Sequence, residues 1–377
     1  MQEFDIIVIG AGPGGSTFVR ALRDSSLRIA LIDKDEFPRD KICGDAIPGT
    51  AVSVGRRLDP DFWRGLPSLN RINGITVQSP SGISAGASYV TEGYTCTRLN
   101  FDDYLVKAAL TNPRLTTFFG TRVKKILWEK GQTTVELPGG ATLTAPMVVG
   151  ADGAHSVVAR ACTETSMDRG HHAAAVRAYY RGVSGLDEDR LAAYLLTDFL
   201  PGYFWIFPLG GDLYNVGFGM LSRHVSESKI DLRTALDRIV RESPLAATHF
   251  AGAEQVSKNE GFGLPLGSRV VPRSGHGFVL LGDAAGLVDP ASGEGIGNAM
   301  ISAEIAADVV RSGFQESRLD AAFLKEYDRR VQKRLGLGFK LKYWGQLLTA
   351  DRPWLLDGAI KLVAKNKLAL WAITKLV

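Results

Sequence analysis

Residues 4–15 read Phe4-Asp5-Ile6-Ile7-Val8-Ile9-Gly10-Ala11-Gly12-Pro13-Gly14-Gly15, an apolar run that breaks into glycines. Phe4 to Ile9 has the length and content of a buried strand. Helix-like sequence follows to about Asp24, with Phe18, Ala21 and Leu22 on its buried side, and Leu27 to Ile32 reads as a second strand ending at Asp33. Strand, glycine turn, helix, strand and acid, in that order, describe a dinucleotide-binding unit. Gly10 makes the tight turn, Gly12 lets a pyrophosphate approach the backbone, and Gly15 lets helix and strand pack closely. The helix N-terminus favours the phosphates. Asp33, 23 residues after Gly10, is placed to accept from a ribose hydroxyl. Its charge repels a 2′-phosphate, so FAD or NAD suits this site better than NADP.

A second motif lies near the other end. Gly277 to Leu281 is an apolar strand running into Gly282-Asp283, then Asp289-Pro290 and Gly293-Glu294-Gly295-Ile296-Gly297, after which a helix reads from about Gly297 to Val310. The glycines allow close approach to something flat or charged. The helix N-terminus favours negative charge on a reduced ring. A third element, Val148 to Gly150 followed by Ala151-Asp152-Gly153, is a strand end and turn.

On these motifs the chain resembles the FAD-dependent oxidoreductases with the fold of para-hydroxybenzoate hydroxylase. The resemblance implies an α/β fold: a Rossmann-like FAD/NAD(P)-binding domain, an inserted antiparallel-sheet substrate domain and a helical C-terminal tail. It implies that Gly10, Ala11, Gly12, Pro13, Gly14, Gly15, Asp33 and Lys34 hold the ADP part of FAD. Gly282 and Asp283 would hold ribose and pyrophosphate. Pro290, Gly293, Gly295, Ile296 and Gly297 would back the isoalloxazine. Arg98, in Arg98-Leu99-Asn100-Phe101-Asp102, Val123 and Asp152 complete the expected cofactor contacts.

Two further segments resemble the geranylgeranyl reductase branch. Lys41-Ile42-Cys43-Gly44-Asp45 is similar to its cysteine-glycine motif, which brings Cys43 and Gly44 close to the flavin. Tyr203-Phe204-Trp205-Ile206-Phe207-Pro208 is similar to its aromatic strand facing a lipid pocket. Alternation puts Tyr203, Trp205 and Phe207 on one face, while Phe204 and Ile206 are apolar too, which suits a strand covered on both sides. Cys43, Tyr203 and Trp205 are the candidate catalytic positions. The implied reaction is reduction of carbon–carbon double bonds in a prenyl or other apolar substrate by hydride from reduced FAD. The alternative is a monooxygenase hydroxylating an aromatic or small apolar substrate through a flavin peroxide. A halogenase and a flavin-binding carrier without catalysis are further readings. With no second nucleotide fingerprint, NAD(P)H would act as a transient reductant, or an external electron donor would reduce the flavin.

The segments expected from these motifs are 1–71, 97–170 and 270–330 for the FAD-binding domain, 72–96 and 171–269 for the substrate domain, and 331–377 for the helical region. Strands are expected at Ile72–Val77, Ala87–Thr91, Ala174–Tyr180, Tyr203–Phe207 and Leu213–Phe218, with a helix at Ile230–Arg241. In the tail, Leu337, Leu341, Trp344 and Leu348 fall on one helix face. After a break at Asp351-Arg352-Pro353, Leu356, Ala359/Ile360, Val363 and Leu370 form a stripe, with Lys361, Lys365 and Lys375 on another face. The tail is either a cap over the substrate domain or a cap that also touches an anionic membrane.

Composition sets the limits. The 377 residues carry 42 glycines and a formal net charge of +4. From Lys325 onward there are 12 Lys/Arg against 4 Asp/Glu, so the basic character belongs to the tail. No nucleic-acid reading motif accompanies that charge, so a nucleic acid partner is not expected. Three cysteines without a C-x-x-C pair point to a reducing compartment and no metal site. No signal peptide and no charge-free run of spanning length is seen. The expected location is the cytoplasm, with the inner membrane surface as a peripheral site.

Overall fold

The computed structural model describes residues 1–129 and 131–365. Its centre is a six-stranded sheet in the order Ser274–Gly275, Phe278–Leu280, Met147–Gly150, Ile6–Ile9, Ile29–Ile32, Leu115–Phe118. All neighbours are parallel except Ser274–Gly275 against Phe278–Leu280. The three central strands are buried throughout, as parallel strands covered on both faces must be. Helix Pro13–Ala21 packs against helix Ile296–Gln315. Gly15 lets the first of these helices close onto the turn that precedes it: a Cβ there would stand 1.9 Å from the Gly10 carbonyl oxygen.

A second, nine-stranded sheet is built mainly from residues 70–95 and 172–265. It is antiparallel apart from Arg190–Tyr194, which runs parallel to Asn70–Gln78. Strand Gly202–Gly210 lies between Leu213–Leu221 and Arg190–Tyr194. Its Phe204 and Ile206 pack with Leu236 and Ile239 of helix Leu232–Glu242. Tyr203, Trp205 and Phe207 form a cluster on the other face with Ile72 and Leu191. A helix therefore covers one side of the strand, while the other side, expected from the sequence to be covered as well, turns its aromatic groups toward a cavity. A four-stranded sheet joins Gln2–Glu3 to Thr142–Ala145, Gln132–Glu136 and Lys125–Glu129.

The tail begins as one rod. Helix Ala321–Val331 passes through a π-helical turn, Gln332–Gly336, into a first tail helix, Leu337–Thr349. A second tail helix, Pro353–Lys365, follows the break at Asp351-Arg352. Leu337, Leu341, Trp344 and Leu348 do share a face, but that face is exposed. Leu370, Lys375 and the side chain of Lys365 lie outside the described residues. Among the described residues, no helix is long and apolar enough to cross a membrane, and no group of three or more His, Cys, Asp or Glu is arranged to hold a metal.

Candidate active site

A cavity of about 1420 Å³ runs between the two large sheets. At one end it is lined by Gly10, Gly12, Pro13, Gly14, Asp33 and Lys34. Gly10 has φ of +100°, the left-handed side of the map, and turns the chain from strand into helix. Asp33 sits at the end of its strand with its carboxylate held: Oδ2 accepts the Ala11 N–H at 2.7 Å and Oδ1 the Asp35 N–H at 3.0 Å. Each oxygen keeps a further lone pair for a hydroxyl donor. Ala11 and Gly15 do not line the cavity; they shape the turn from behind. Val123 joins the wall from the loop after Leu115–Phe118.

The middle of the trench carries Arg98, Asp152, Gly282 and Asp283. Arg98 is buried and doubly bonded to Asp102, Nε to Oδ1 at 2.6 Å and Nη2 to Oδ2 at 2.7 Å. Arg39 adds a third bond to the same carboxylate at 2.6 Å. Burial opposes the Asp102 charge, but the Arg98 guanidinium holds its carboxyl below the usual range. Asp283 faces Lys41 Nζ at 3.4 Å. Asp152 spends its oxygens locally, accepting from Ser156 Oγ at 2.5 Å and from the Val157 N–H at 2.6 Å. Its side chain fixes the turn and the start of helix Val157–Cys162.

Further along, Pro290, Gly293, Gly295 and Ile296 line the wall, and Gly297 lies behind it against Thr50. The N–H groups of Gly297 and Asn298, at the start of helix Ile296–Gln315, donate to Glu294 Oε1 at 2.6 and 3.3 Å. This helix start is thus capped by its own chain. Burial pushes the Glu294 carboxyl up to about 7, with the nearby Asp289 charge adding to the rise.

Cys43 stands where the trench meets an apolar chamber walled by Tyr203, Trp205, Phe207, Ile72, Leu191 and Met220. Burial raises its thiol above the ordinary value and the Asp45 carboxylate adds to the rise, while Arg98 beside it, the Asp45 N–H and Lys41 work in the opposite direction. Cys43 is a neutral thiol at neutral pH, next to groups that accommodate a thiolate. The Tyr203 hydroxyl donates to the Ser292 carbonyl oxygen, tying the aromatic strand to the 290–297 loop. The Trp205 indole N–H donates to Asn215 Oδ1 at 2.9 Å, and Asn215 Nδ2 donates to the Cys43 carbonyl at 2.7 Å.

Asn215, Asp45 and Tyr179 were not picked out from the sequence. Asp45 Oδ2 accepts from Asn215 Nδ2 and the Tyr179 hydroxyl, both at 2.8 Å. An asparagine inside the apolar stretch Leu213–Phe218 was the available signal, because a buried amide needs partners. Burial outweighs these bonds and pushes the Asp45 carboxyl up to about 6. A raised folded pKa means that the folded protein binds the proton more tightly than the unfolded chain. Stability from this group is greatest at acid pH and falls as pH rises from the unfolded value of about 4 through about 6. Asp45→Asn is expected to remove that fall, worth on the order of 3 kcal/mol. Urea unfolding of both proteins from acid to neutral pH checks it, and a difference between them that does not change with pH contradicts it.

Comparison with known proteins decides the family. Residues 3–320 match the family described as FAD binding domain. The chain belongs to it. FAD is the cofactor of this family member, and the trench fits it, from the left-handed Gly10 turn and held Asp33 carboxylate to the glycine-lined wall at Gly293 and Gly295. The chain is 28% identical over 345 residues to digeranylgeranylglycerophospholipid reductase 2 of Methanopyrus kandleri, covering 90% of this chain and 85% of that one. It is 28% identical to menaquinone reductase of Mycolicibacterium smegmatis, covering 82% and 76%. The crystal structure of a geranylgeranyl bacteriochlorophyll reductase-like protein from Thermoplasma acidophilum superposes with a TM-score of 0.86 at 24% identity, covering 99% and 96%. That likeness establishes the fold: a Rossmann-like FAD domain, a second sheet and C-terminal helices.

Proposed function

We propose that this FAD-binding protein reduces carbon–carbon double bonds of a prenyl or similarly extended apolar substrate. The observation that carries the reading is the apolar chamber continuous with the flavin trench, with a neutral thiol at the junction. The reductases named above, one of a geranylgeranylated lipid and one of menaquinone, support it. Reduced FAD, when bound, supplies a hydride. This chain's residues do the rest. Gly10, Gly12, Asp33, Lys34, Arg98, Val123, Gly282, Asp283, Pro290, Gly293, Gly295 and Ile296 line the trench and would hold the cofactor. Ile72, Leu191, Trp205, Phe207 and Met220 give the substrate an apolar bed and keep water out, which a poorly electrophilic alkene needs. Tyr203 braces the flavin-side loop through Ser292. Cys43 Sγ holds the proton that completes the saturated product, and Arg98 with the Asp45 N–H receives the resulting thiolate charge.

Anaerobic mixing of reduced holoenzyme with a geranylgeranyl compound tests the proposal. The expected result is flavin reoxidation with a product heavier by two hydrogens per double bond. An unchanged flavin, or a product gained only with oxygen and carrying an oxygen atom, refutes it.

A further inference from the structure

The first tail helix is faced in the reverse of the usual sense. On a helix packed against a globular body, apolar residues turn inward and polar ones outward. In Leu337–Thr349 the outward stripe is Leu337, Leu341, Trp344 and Leu348, each more than half exposed. The inward face of the same helix carries Lys342 and Gln346 with Phe339, and these line the cavity. Lys342 Nζ binds Asp289 Oδ2 at 2.7 Å, and Asp289 Oδ1 in turn takes the N–H groups of Ala291 and Ser292, both at 3.0 Å. The inner face is therefore fastened to the flavin-side loop by polar bonds, leaving the apolar face outside.

The second tail helix is apolar on both faces. Trp354 and Leu362 point outward, more than half exposed, while Leu356, Ile360 and Val363 line the cavity. Its Asp357 accepts from the Ser81 N–H at 3.0 Å and the Ser81 hydroxyl at 2.7 Å, which pins it to the turn between two strands of the large sheet. The two helices form a wall with the substrate chamber on one side and an exposed Leu/Trp surface on the other.

Charge identifies what that surface meets. Exposed Lys333 and Lys340 flank the first stripe, and exposed Arg352 and Lys361 flank Trp354 and Leu362. The segment from Lys325 onward has 12 Lys/Arg against 4 Asp/Glu, although the whole chain is only +4. Leucines and tryptophans bordered by lysine and arginine match the chemistry of an anionic phospholipid surface: apolar side chains enter the acyl boundary, indoles sit at headgroup level, and cations face the phosphates. A self-associating apolar face would gain nothing from bringing two such rims of positive charge together.

We propose that the outer face of helices Leu337–Thr349 and Pro353–Lys365 seats on an anionic bilayer, so that the chamber they wall off takes its apolar ligand from the membrane. The ligand's identity rests on the reductase reading above; the docking surface does not. The wall is held over the chamber by Lys342–Asp289 and Asp357–Ser81, by the Tyr343 hydroxyl donating to the Gly170 carbonyl at 2.8 Å and by Gln346 Nε2 donating to the Pro201 carbonyl at 3.4 Å, and none of these uses a residue of the outward stripe.

The test uses the full-length holoprotein, wild type and the double variant Leu341→Glu/Trp344→Glu, with equal flavin content and melting temperature as the check of folding. Both are sedimented with phosphatidylcholine vesicles and with vesicles containing about one-third phosphatidylglycerol. Wild type is expected to bind the anionic vesicles, with at least about tenfold weaker binding to neutral vesicles and about tenfold or greater loss in the double variant. Equal binding by both proteins, or none by wild type, overturns the proposal. So does a wild-type dimer that the double variant breaks while neither protein binds vesicles, since the stripe would then be a contact between copies. A prenyl compound supplied in detergent should be turned over equally by both, and the same compound in vesicles by wild type alone. Vesicle binding without turnover in either medium would remove the reductase reading and leave the docking surface standing.

Discussion

Gly10→Ala is expected to yield a protein without flavin, destabilised by at least about 3 kcal/mol. Two costs add. The φ of +100° is one that a residue with a Cβ adopts only under strain. The added carbon would also stand 2.3 Å from the Ala151 carbonyl oxygen and 2.8 Å from the Asp152 nitrogen. Neither neighbour is free to retreat. The Gly10 N–H is bonded to Ile32 O at 2.7 Å and the Ala151 N–H to Ile9 O at 2.8 Å, so relief would pull apart the central strands. Gly12→Ala provides the contrast. The nearest atom to its added carbon is Arg39 Nη2 at 3.8 Å, and its φ of −70° suits any residue. That variant should keep the unfolding midpoint of wild-type apoprotein and lose flavin, because the methyl group enters space a pyrophosphate would occupy. Visible flavin absorbance per polypeptide and urea unfolding of the apoproteins separate the two effects. A Gly10→Ala protein with full flavin and an unchanged midpoint would contradict the account.

The same glycines show why so much of the fold was legible in the sequence. Their positions follow from local backbone demands, and the strands beside them are continuous apolar runs. The aromatic strand was legible too, since period-two alternation fixes which of Tyr203–Phe207 share a face. Alternation also flagged Phe204 and Ile206 as covered, and helix Leu232–Glu242 covers them. What stayed hidden depends on three-dimensional closure. Asp45, Tyr179 and Asn215 lie far apart in the chain and meet only when the large sheet folds over the Cys43 segment. The Leu337–Leu348 stripe shows a different limit. Periodicity states which residues lie together on a helix, but not whether that side turns to the core or to the outside. Here the inward side is set by Lys342 reaching Asp289, a contact across 53 residues with no sequence signature. Glu294 is another case: it belongs to the glycine-rich motif, yet its carboxylate takes the helix-start N–H groups that the motif alone would leave for the cofactor.

Cys43→Ala is expected to lower alkene reduction about 100-fold, the lower end of what a positioned proton donor contributes. The change removes the sulfur and leaves the flavin trench intact, so flavin content and reduction by dithionite should match wild type. Cys43→Ser keeps a proton but holds it on a weaker acid, and its rate should fall between the two. The pH profile gives a second readout. Burial raises the thiol, so the proton stays on Sγ through neutral pH and the wild-type rate should decline only on the alkaline side of the ordinary thiol range. The alanine variant should lack that decline. Tyr203→Phe distinguishes the other candidate donor. Its hydroxyl proton is directed at the Ser292 carbonyl, and burial raises its pKa further from neutrality. Removing that hydroxyl should loosen the 290–297 loop and weaken flavin retention more than it slows the proton transfer. Single-turnover flavin reoxidation in each variant checks the assignment. A Cys43→Ala rate within about threefold of wild type would mean that water delivers the proton. The neutral thiol between Arg98 and the Asp45 amide would then serve only to shape the junction between trench and chamber.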